Sequence, residues 1–449
     1  MMERLLHIFK RRDSSYEPLE GGSEGPNGEQ ITRPKFNRFS WIDYSVFLLL
    51  GVAMLWAWNM FLAAAPYFQH RFQSNDSLLR NFQSAELSVS TVGNLGSMIV
   101  LTKLQARANY PKRIIAALAL NVVVFTLLAI STRQFLEVSA GVYFAFLMAM
   151  VLSASLATGL CQNGVFAYVS GFGREEYTQG IMTGQGIAGV LPCIAQIVSV
   201  LSVEERKSEE GVPQESSTSA FAYFLTATIV SALTLAAFAL VLARHGSRDS
   251  IKLAIPSNDD DYMPTPDARK SIPLINLFRK LFWLSAAVFL TFAVTMTYPV
   301  FTQQILSVRD PAAASRLFQA ASFIPLGFLF WNIGDLIGRM VPIIPALSLT
   351  SRPHVLFFLS IARVAFIPLY LLCNLRGKGA KVSSDAFYLI VVQLLFGVTN
   401  GYVGSSCMMG FVEYVEEDER EAAGGFMSLC LVAGLTTGSF LSFFAARLG

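Results

Sequence analysis

Residues 328–340 read FLFWNIGDLIGRM, an acid and a base set in an otherwise apolar run. Asp335 and Arg339 are four apart, so on a helix they share one face about one turn apart. The run belongs to a block, 317–344, that is long enough to cross a bilayer, which takes roughly 20 apolar residues. Blocks of the same kind lie at 41–67, 85–104, 113–132, 140–169, 178–201, 219–243, 281–304, 354–374, 386–412 and 422–447. The 449-residue chain is 53% hydrophobic and only 14% charged. A soluble domain carries roughly 25% charged residues. The pattern predicts an all-α membrane protein with eleven transmembrane helices.

Polar stretches divide the blocks. Residues 1–40 hold no apolar block and are rich in Gly, Pro, Glu and Ser, which predicts a disordered cytosolic tail and not a cleaved signal peptide. The longest later break, 244–280, contains SNDDDYMPTPDARKS and reads as a cytosolic linker without periodicity. It separates a six-helix bundle, 41–243, from a five-helix bundle, 281–449. Lys and Arg gather on the side of the tail, at positions such as Lys103, Lys112, Arg113, Arg174, Arg244 and Arg279. The positive-inside rule puts the amino terminus in the cytosol, and an odd number of spans puts Gly449 on the lumenal or extracellular side.

Several chemistries are disfavoured. Cys161, Cys193, Cys373, Cys407 and Cys430 all fall in apolar blocks and form no CxxC pair, so neither a disulfide framework nor a zinc site is expected. His7, His70, His245 and His354 lie in tails or at span ends, which leaves no histidine relay. No P-loop motif is present, so an ATP-driven pump is not expected. No cofactor or metal is called for. A membrane-embedded enzyme would need convergent nucleophile and base groups, which these positions do not supply.

The polar residues inside the blocks are the candidates for function. A charge in the bilayer interior costs at least roughly 2.5–3.5 kcal/mol, so Asp335 and Arg339 are either a binding pair or a structural ion pair that locks helices. Asn332, Trp331 and Phe328 share their face, and together they suit a ligand with one flat side and several hydroxyls. Trp58 and Asn59, deep in the first block, offer an indole beside an amide; an interfacial aromatic anchor is the alternative for Trp58. Gln162 and Asn163 either read a polar ligand or tie helices together. Arg363 pairs with an acid near the cytosolic face or snorkels there. Pro192, Pro325, Gly184, Gly186 and Gly189 predict interrupted helices around a polar cavity. Glu86, near the start of the second block, is the one weak candidate for a second membrane acid, the feature a proton-coupled carrier of sugars or other small polar solutes would need.

Several motifs together resemble the equilibrative nucleoside transporter family. They are LWAWNMFLAAAPYF (55–68), YTQGIMTGQGIAG (177–189), WNIGDLIGR (331–339), and NGYVGSSCMM (400–409) leading to EREAAGGFMSLCLVAGLTTGSFLSF (419–443). The resemblance runs from the first block to the last. It implies eleven helices in two bundles, six plus five, distantly like the major facilitator arrangement, with the substrate between them. It places Trp58 and Leu62 on the nucleobase and Gln162 on a base edge. Asp335 and Arg339 fall on the ribose hydroxyls and neighbouring polar atoms, and Asn332, Phe328, Tyr298 and Leu435 line or flank the cavity. It also implies a cytosolic gate between Arg113 and Glu421.

This sequence departs from the family pattern in three places. Leu62 stands where Met is common, QNGVF (162–166) replaces QGSLF, and Tyr298 stands where Phe is frequent. These changes open the question of nucleobase acceptance. The expected partners are nucleosides and the lipid bilayer, with no nucleic acid and a monomeric protein. Tyr16-Glu17-Pro18-Leu19 fits a sorting signal for an adaptor. The motifs look most like fungal members, which include a vacuolar-membrane transporter, so the vacuole is expected ahead of the plasma membrane.

Overall fold

The computed structural model describes residues 39–105, 108–134, 136–202, 217–253, 272–310 and 314–445. Residues 1–38 of the expected tail, with the Tyr16–Leu19 motif, lie outside the described residues, as do residues 203–216 and 254–271, and Gly449. The helices belong to the unit Ser40–Gly449.

The long helices are α1 (Trp41–Ala63), α2 (Asp76–Lys103), α3 (Tyr110–Gln134), α4 (Ala140–Ser170), α5 (Glu175–Ser202), α6 (Ser217–Leu253), α7 (Phe282–Thr295), α8 (Ala320–Met340), α9 (Pro353–Ala362), α10 (Leu395–Gly410) and α11 (Arg420–Ala445). Among the described residues, ten helical stretches are long and apolar enough to cross a membrane. The 28-residue α2 is not among them. It is long enough to span, but Asp76, Arg80, Asn81, Glu86, Asn94 and a run of serines make it more polar than the rest. The chain is thus an all-α, multi-pass membrane protein.

Local chemistry sets the helix ends. The Ser40 hydroxyl accepts from the Asp43 amide at 3.3 Å, and Asn75 Oδ1 accepts from the Ser77 and Leu78 amides at 3.1 and 3.2 Å. Leu101 and Leu104, at the end of α2, give their carbonyls to the Arg113 guanidinium at 3.2 and 3.0 Å. Pro66 and Pro299 open the short helices Ala65–Phe72 and Tyr298–Thr302, where their missing N–H groups do no harm. The expected block 386–412 begins as a π-helix, Phe387–Leu394, before settling into α10.

Three expectations change here. Pro192 and Pro325 lie inside the unbroken helices α5 and α8. Gly184, Gly186 and Gly189 do not interrupt α5 either; they serve close packing. A Cβ at Gly184 would overlap the Leu48 carbonyl of α1, and one at Gly189 would overlap Asn332 Oδ1 of α8. The supposed linker is helical at both ends, since α6 runs to Leu253 and Leu274–Lys280 is a helix. No proline stops α6 after His245, and Arg244 and His245 are tied back to Asp43 at 3.5 and 3.4 Å.

The helices associate in two sets. α1 packs on α5 and α6, α3 on α4 and α6, and α2 on α4. α8 packs on α10, and α7 on α9, α10 and α11. The sets meet where α5 lies on α8 and α10, and where α11 lies on α4 and α2. The first set is knit by aromatic rings, with Phe61 against Phe125 at 5.1 Å and Phe224 at 6.2 Å. The second set contains a glycine seam. A Cβ at Gly334 or Gly338 would overlap the α10 backbone, and one at Gly397 or Gly401 would overlap the Trp331 or Asp335 carbonyl. Small residues let helix axes approach in lipid, where the hydrophobic effect gives no drive between helices. Outward-facing apolar side chains such as Phe358, 63% exposed, suit contact with lipid.

Candidate functional site

The glycine seam carries Asp335 of α8 against Asn400 of α10. Asp335 is buried, and both of its oxygens are engaged. Arg339 Nε donates to Oδ2 at 2.6 Å, and Asn400 Nδ2 donates to Oδ1 at 2.6 Å. Arg339 Nη1 then reaches α5, donating to the Met182 carbonyl at 3.1 Å and to Gln185 Oε1 at 2.9 Å. The acid and base of FLFWNIGDLIGRM therefore join three helices and both halves of the molecule. Charge-assisted bonds of this kind lower the cost of holding ions away from water. A carboxylate offers about four lone-pair positions. Among the described residues two are filled here and Arg339 Nη2 makes no hydrogen bond, so the pair keeps capacity for a polar ligand.

The polar chain continues past Asn400. Thr295 Oγ1 on α7 donates to Asn400 Oδ1 at 2.6 Å and accepts from Arg363 Nη2 at 2.9 Å. Arg363 neither snorkels nor meets an acid directly, contrary to expectation. It is 1% exposed, bonded to Thr399 Oγ1 at 3.2 Å and to the Thr291 carbonyl, with the Phe396 ring 4.7 Å from its guanidinium carbon. Helix packing encloses the whole side chain, so it is held inside the bundle.

Beside this chain lies an aromatic wall. Tyr298 stacks on Trp331 with centroids 4.1 Å apart and planes at 5°, and its ring meets Phe328 edge-on at 5.7 Å. Asn332 donates to the Phe328 carbonyl at 2.9 Å and to Cys193 Sγ at 3.5 Å, so its amide bridges α8 to α5. Trp331 Nε1 is buried without a hydrogen-bond partner among the described residues.

The other expected residues are more dispersed. Trp58 is half-buried on α1, and Leu62, one turn on, is 54% exposed. Asn59 Nδ2 donates to the Ala188 carbonyl at 2.7 Å and so ties α1 to α5. Gln162 is buried on α4, and its Oε1 lacks a hydrogen-bond partner among the described residues. Its neighbour Asn163 accepts from Arg113 and packs beside Gly425 of α11. Leu435 is half-buried on α11. Neither Trp58 nor Gln162 is hydrogen-bonded to Asp335 or Arg339.

At the end of the bundle where α1 starts, Arg113 caps α2 and holds Asn163, while the Glu421 carboxylate lies against Gly171 at the end of α4. Gly424 presses on the Phe166 carbonyl nearby, which closes α11 on α4. Glu86 sits ten residues into α2, deeper than expected, buried and with Oε1 unpartnered among the described residues.

Reading the sequence residue by residue missed Gln185 and Thr295, and it gave Arg363 the wrong surroundings. Gln185 carried a usable signal, being an amide within an apolar span three residues after Met182. Thr295 carried none, because a threonine in a spanning helix commonly bonds its own backbone.

Comparison with known proteins gives the family and the fold. A family model described as nucleoside transporter matches residues 147–446. Nucleoside transporter FUN26 of Saccharomyces cerevisiae is 30% identical, over 92% of this chain and 85% of its own. Equilibrative nucleoside transporter 2 of Homo sapiens is 26% identical, over 88% of this chain and 95% of its own. Among solved structures, the major facilitator transporter FucP in its outward conformation aligns with a TM-score of 0.54 at 15% identity, covering 91% of this chain and 95% of that one. The human organic anion transporter MFSD10 aligns at 0.52 and 13% identity, covering 90% and 94%. These structures give the fold as major-facilitator-like. With two-thirds of its length under the family model and a relative at 30% identity across nearly all of it, the chain belongs to the nucleoside transporter family.

Proposed function

We propose that this protein moves nucleosides across a membrane by alternating access, without fuel. The observation that carries the reading is the Asp335–Arg339 pair, buried and shared between the two halves through Gln185. A passive carrier must bind a polar solute and release it again. Charge-assisted hydrogen bonds of about 1.5–3 kcal/mol suit that task. In this reading Asp335 accepts from sugar hydroxyls through its open lone pairs, and Arg339 donates through Nη2. Trp58, Leu62 and Gln162 meet the base, Tyr298, Phe328 and Asn332 shape the wall, and Leu435 flanks it. Transport then requires the contacts of α8 on α5 and of α11 on α4 to open in turn, with Arg113 and Glu421 attracting across the closed end. Nucleobases enter if the base pocket suffices without the ribose.

The protein is a transporter and not an enzyme, and it works as a monomer. The basic residues beside Ser40 support an amino terminus in the cytosol and Gly449 on the far side. The vacuolar membrane is our assignment of place, and a fluorescent fusion seen at the plasma membrane would replace it. The functional test is uptake of radiolabelled uridine and adenosine into proteoliposomes, with and without a pH gradient. Saturable uptake that is indifferent to the gradient is expected. Uptake only with the gradient would overturn the passive mechanism, and no uptake of either nucleoside would overturn the reading.

A further inference from the structure

Arg363 is a buried cation that the proposed mechanism does not yet use. Its hydrogen-bond partners are threonine oxygens: Thr295 Oγ1, Thr399 Oγ1 and the Thr291 carbonyl. A guanidinium can only donate. A hydroxyl has one proton, so a hydroxyl that accepts from Arg363 must send that proton elsewhere. Two acceptors lie near Thr295 Oγ1: the Thr291 carbonyl at 2.7 Å and Asn400 Oδ1 at 2.6 Å. The carbonyl receives Arg363 Nη1 and has a second lone pair, so it does not decide between them; the amide does. Asn400 Oδ1 has the hydroxyl as its partner. Once Oδ1 is held as an acceptor, the other end of the amide is fixed as a donor, and Nδ2 faces Asp335 Oδ1 at 2.6 Å. A flipped amide would set oxygen against carboxylate. The donors therefore run in one direction, from Arg363 through Thr295 and Asn400 to Asp335.

We propose that Arg363 is a positioning residue for substrate recognition: acting through Thr295 and Asn400, it holds the Asp335 carboxylate in the orientation that receives sugar hydroxyls. The inference rests on the reading of Asp335 given above. It also assigns a specificity role to Thr295, whose hydroxyl links the cation to the amide. Without the link Asn400 keeps its bond to Asp335 but loses the partner that fixes its other end, so the carboxylate is held less firmly while keeping Arg339. The loss falls on ligands that use the ribose hydroxyls, and spares those that do not.

The experiment compares uridine with 2′,3′-dideoxyuridine, which has the same base, as competitors of uridine uptake in proteoliposomes. The variants are Thr295→Val, Thr295→Ser, Arg363→Met and Asp335→Asn. Thr295→Val keeps the shape of the side chain and leaves Arg363 in place, so it reports even if Arg363→Met does not fold. The preference for uridine should fall about tenfold in Thr295→Val and in a folded Arg363→Met, as expected for losing alignment of a charge-assisted bond. Thr295→Ser should restore it. An unchanged preference in Thr295→Val, or an equal loss for both ligands, overturns the positioning role. If Asp335→Asn shifts the preference while Thr295→Val does not, only this inference fails. If Asp335→Asn leaves it unchanged too, the reading of the site fails with it.

Discussion

Both halves of this transporter have aromatic clusters, but they differ in what else is buried with them. In α1–α6 the centre is a cluster of rings, Phe61, Phe68, Phe125 and Phe224, all buried. In α7–α11 a hydrogen-bonded line runs from Arg363 to Arg339 through Thr295, Asn400 and Asp335, over a seam of glycines. Aromatic packing tolerates small shifts, because dispersion and ring contacts have no single correct partner atom. A directed hydrogen-bond chain does not, since each donor needs its own acceptor. The difference teaches that the first half suits a robust frame and the second a site that must be held in register. Arg339 and Asn332 bridge from the second half to α5, so the register is passed across the interface.

This contrast can be broken at several points. The largest effect is expected from Gly397→Leu. Its Cβ would overlap the Trp331 carbonyl, forcing α8 and α10 apart and parting Asp335 from Asn400. Loss of the monodisperse, folded protein on fluorescence-detected size exclusion is the expected result; a folded, active variant would mean the seam is not the constraint. Next comes Phe125→Ala in the ring cluster, with a loss of about 3–5 kcal/mol in stability. Its melting temperature should drop while the relative uptake of different nucleosides stays the same. A change in preference would show that the frame also selects.

Asp335→Asn should weaken nucleosides by about 1.5–3 kcal/mol, and free adenine less, because adenine lacks the ribose. Equal losses for uridine, adenosine and adenine, with a lower melting temperature, would make the pair purely structural and erase the functional half of the contrast. Trp58→Ala should cost about 1–3 kcal/mol in affinity if its indole stacks on the base. Unaltered binding by the folded variant would leave base recognition to the second half.

The smallest effect belongs to Lys280→Ala. Lys280 holds Glu419 at 2.6 Å at the exposed start of α7 and α11. The bond to Glu419 raises the Lys280 pKa above its ordinary value. A raised lysine contributes below its unfolded value, roughly 10.4, and the contribution fades as pH rises through the folded value. The contact should thus persist at every working pH and weaken with salt. A marked fall in melting temperature at high salt would show it to matter more than the buried network.

The sequence alone determined the membrane class and most of the spanning helices, because the cost of burying polar backbone in lipid forces long apolar helices. It also marked Asp335 and Arg339, since ions in such helices stand out against their surroundings. Tertiary structure decided the rest. Gly397 and Gly401 look like any small residues until α8 lies against them, and Asn400 could not be assigned to Asp335 across 65 residues of chain. Arg363 read as acid-paired or snorkelling because a single span does not reveal which neighbours cover it. Thr295 was invisible, as its hydroxyl gains meaning only from what Arg363 and Asn400 bring to either side. Composition fixes what a segment must avoid, water or lipid. Which acceptor a buried donor finds depends on helices distant in the chain, and only their packing supplies it.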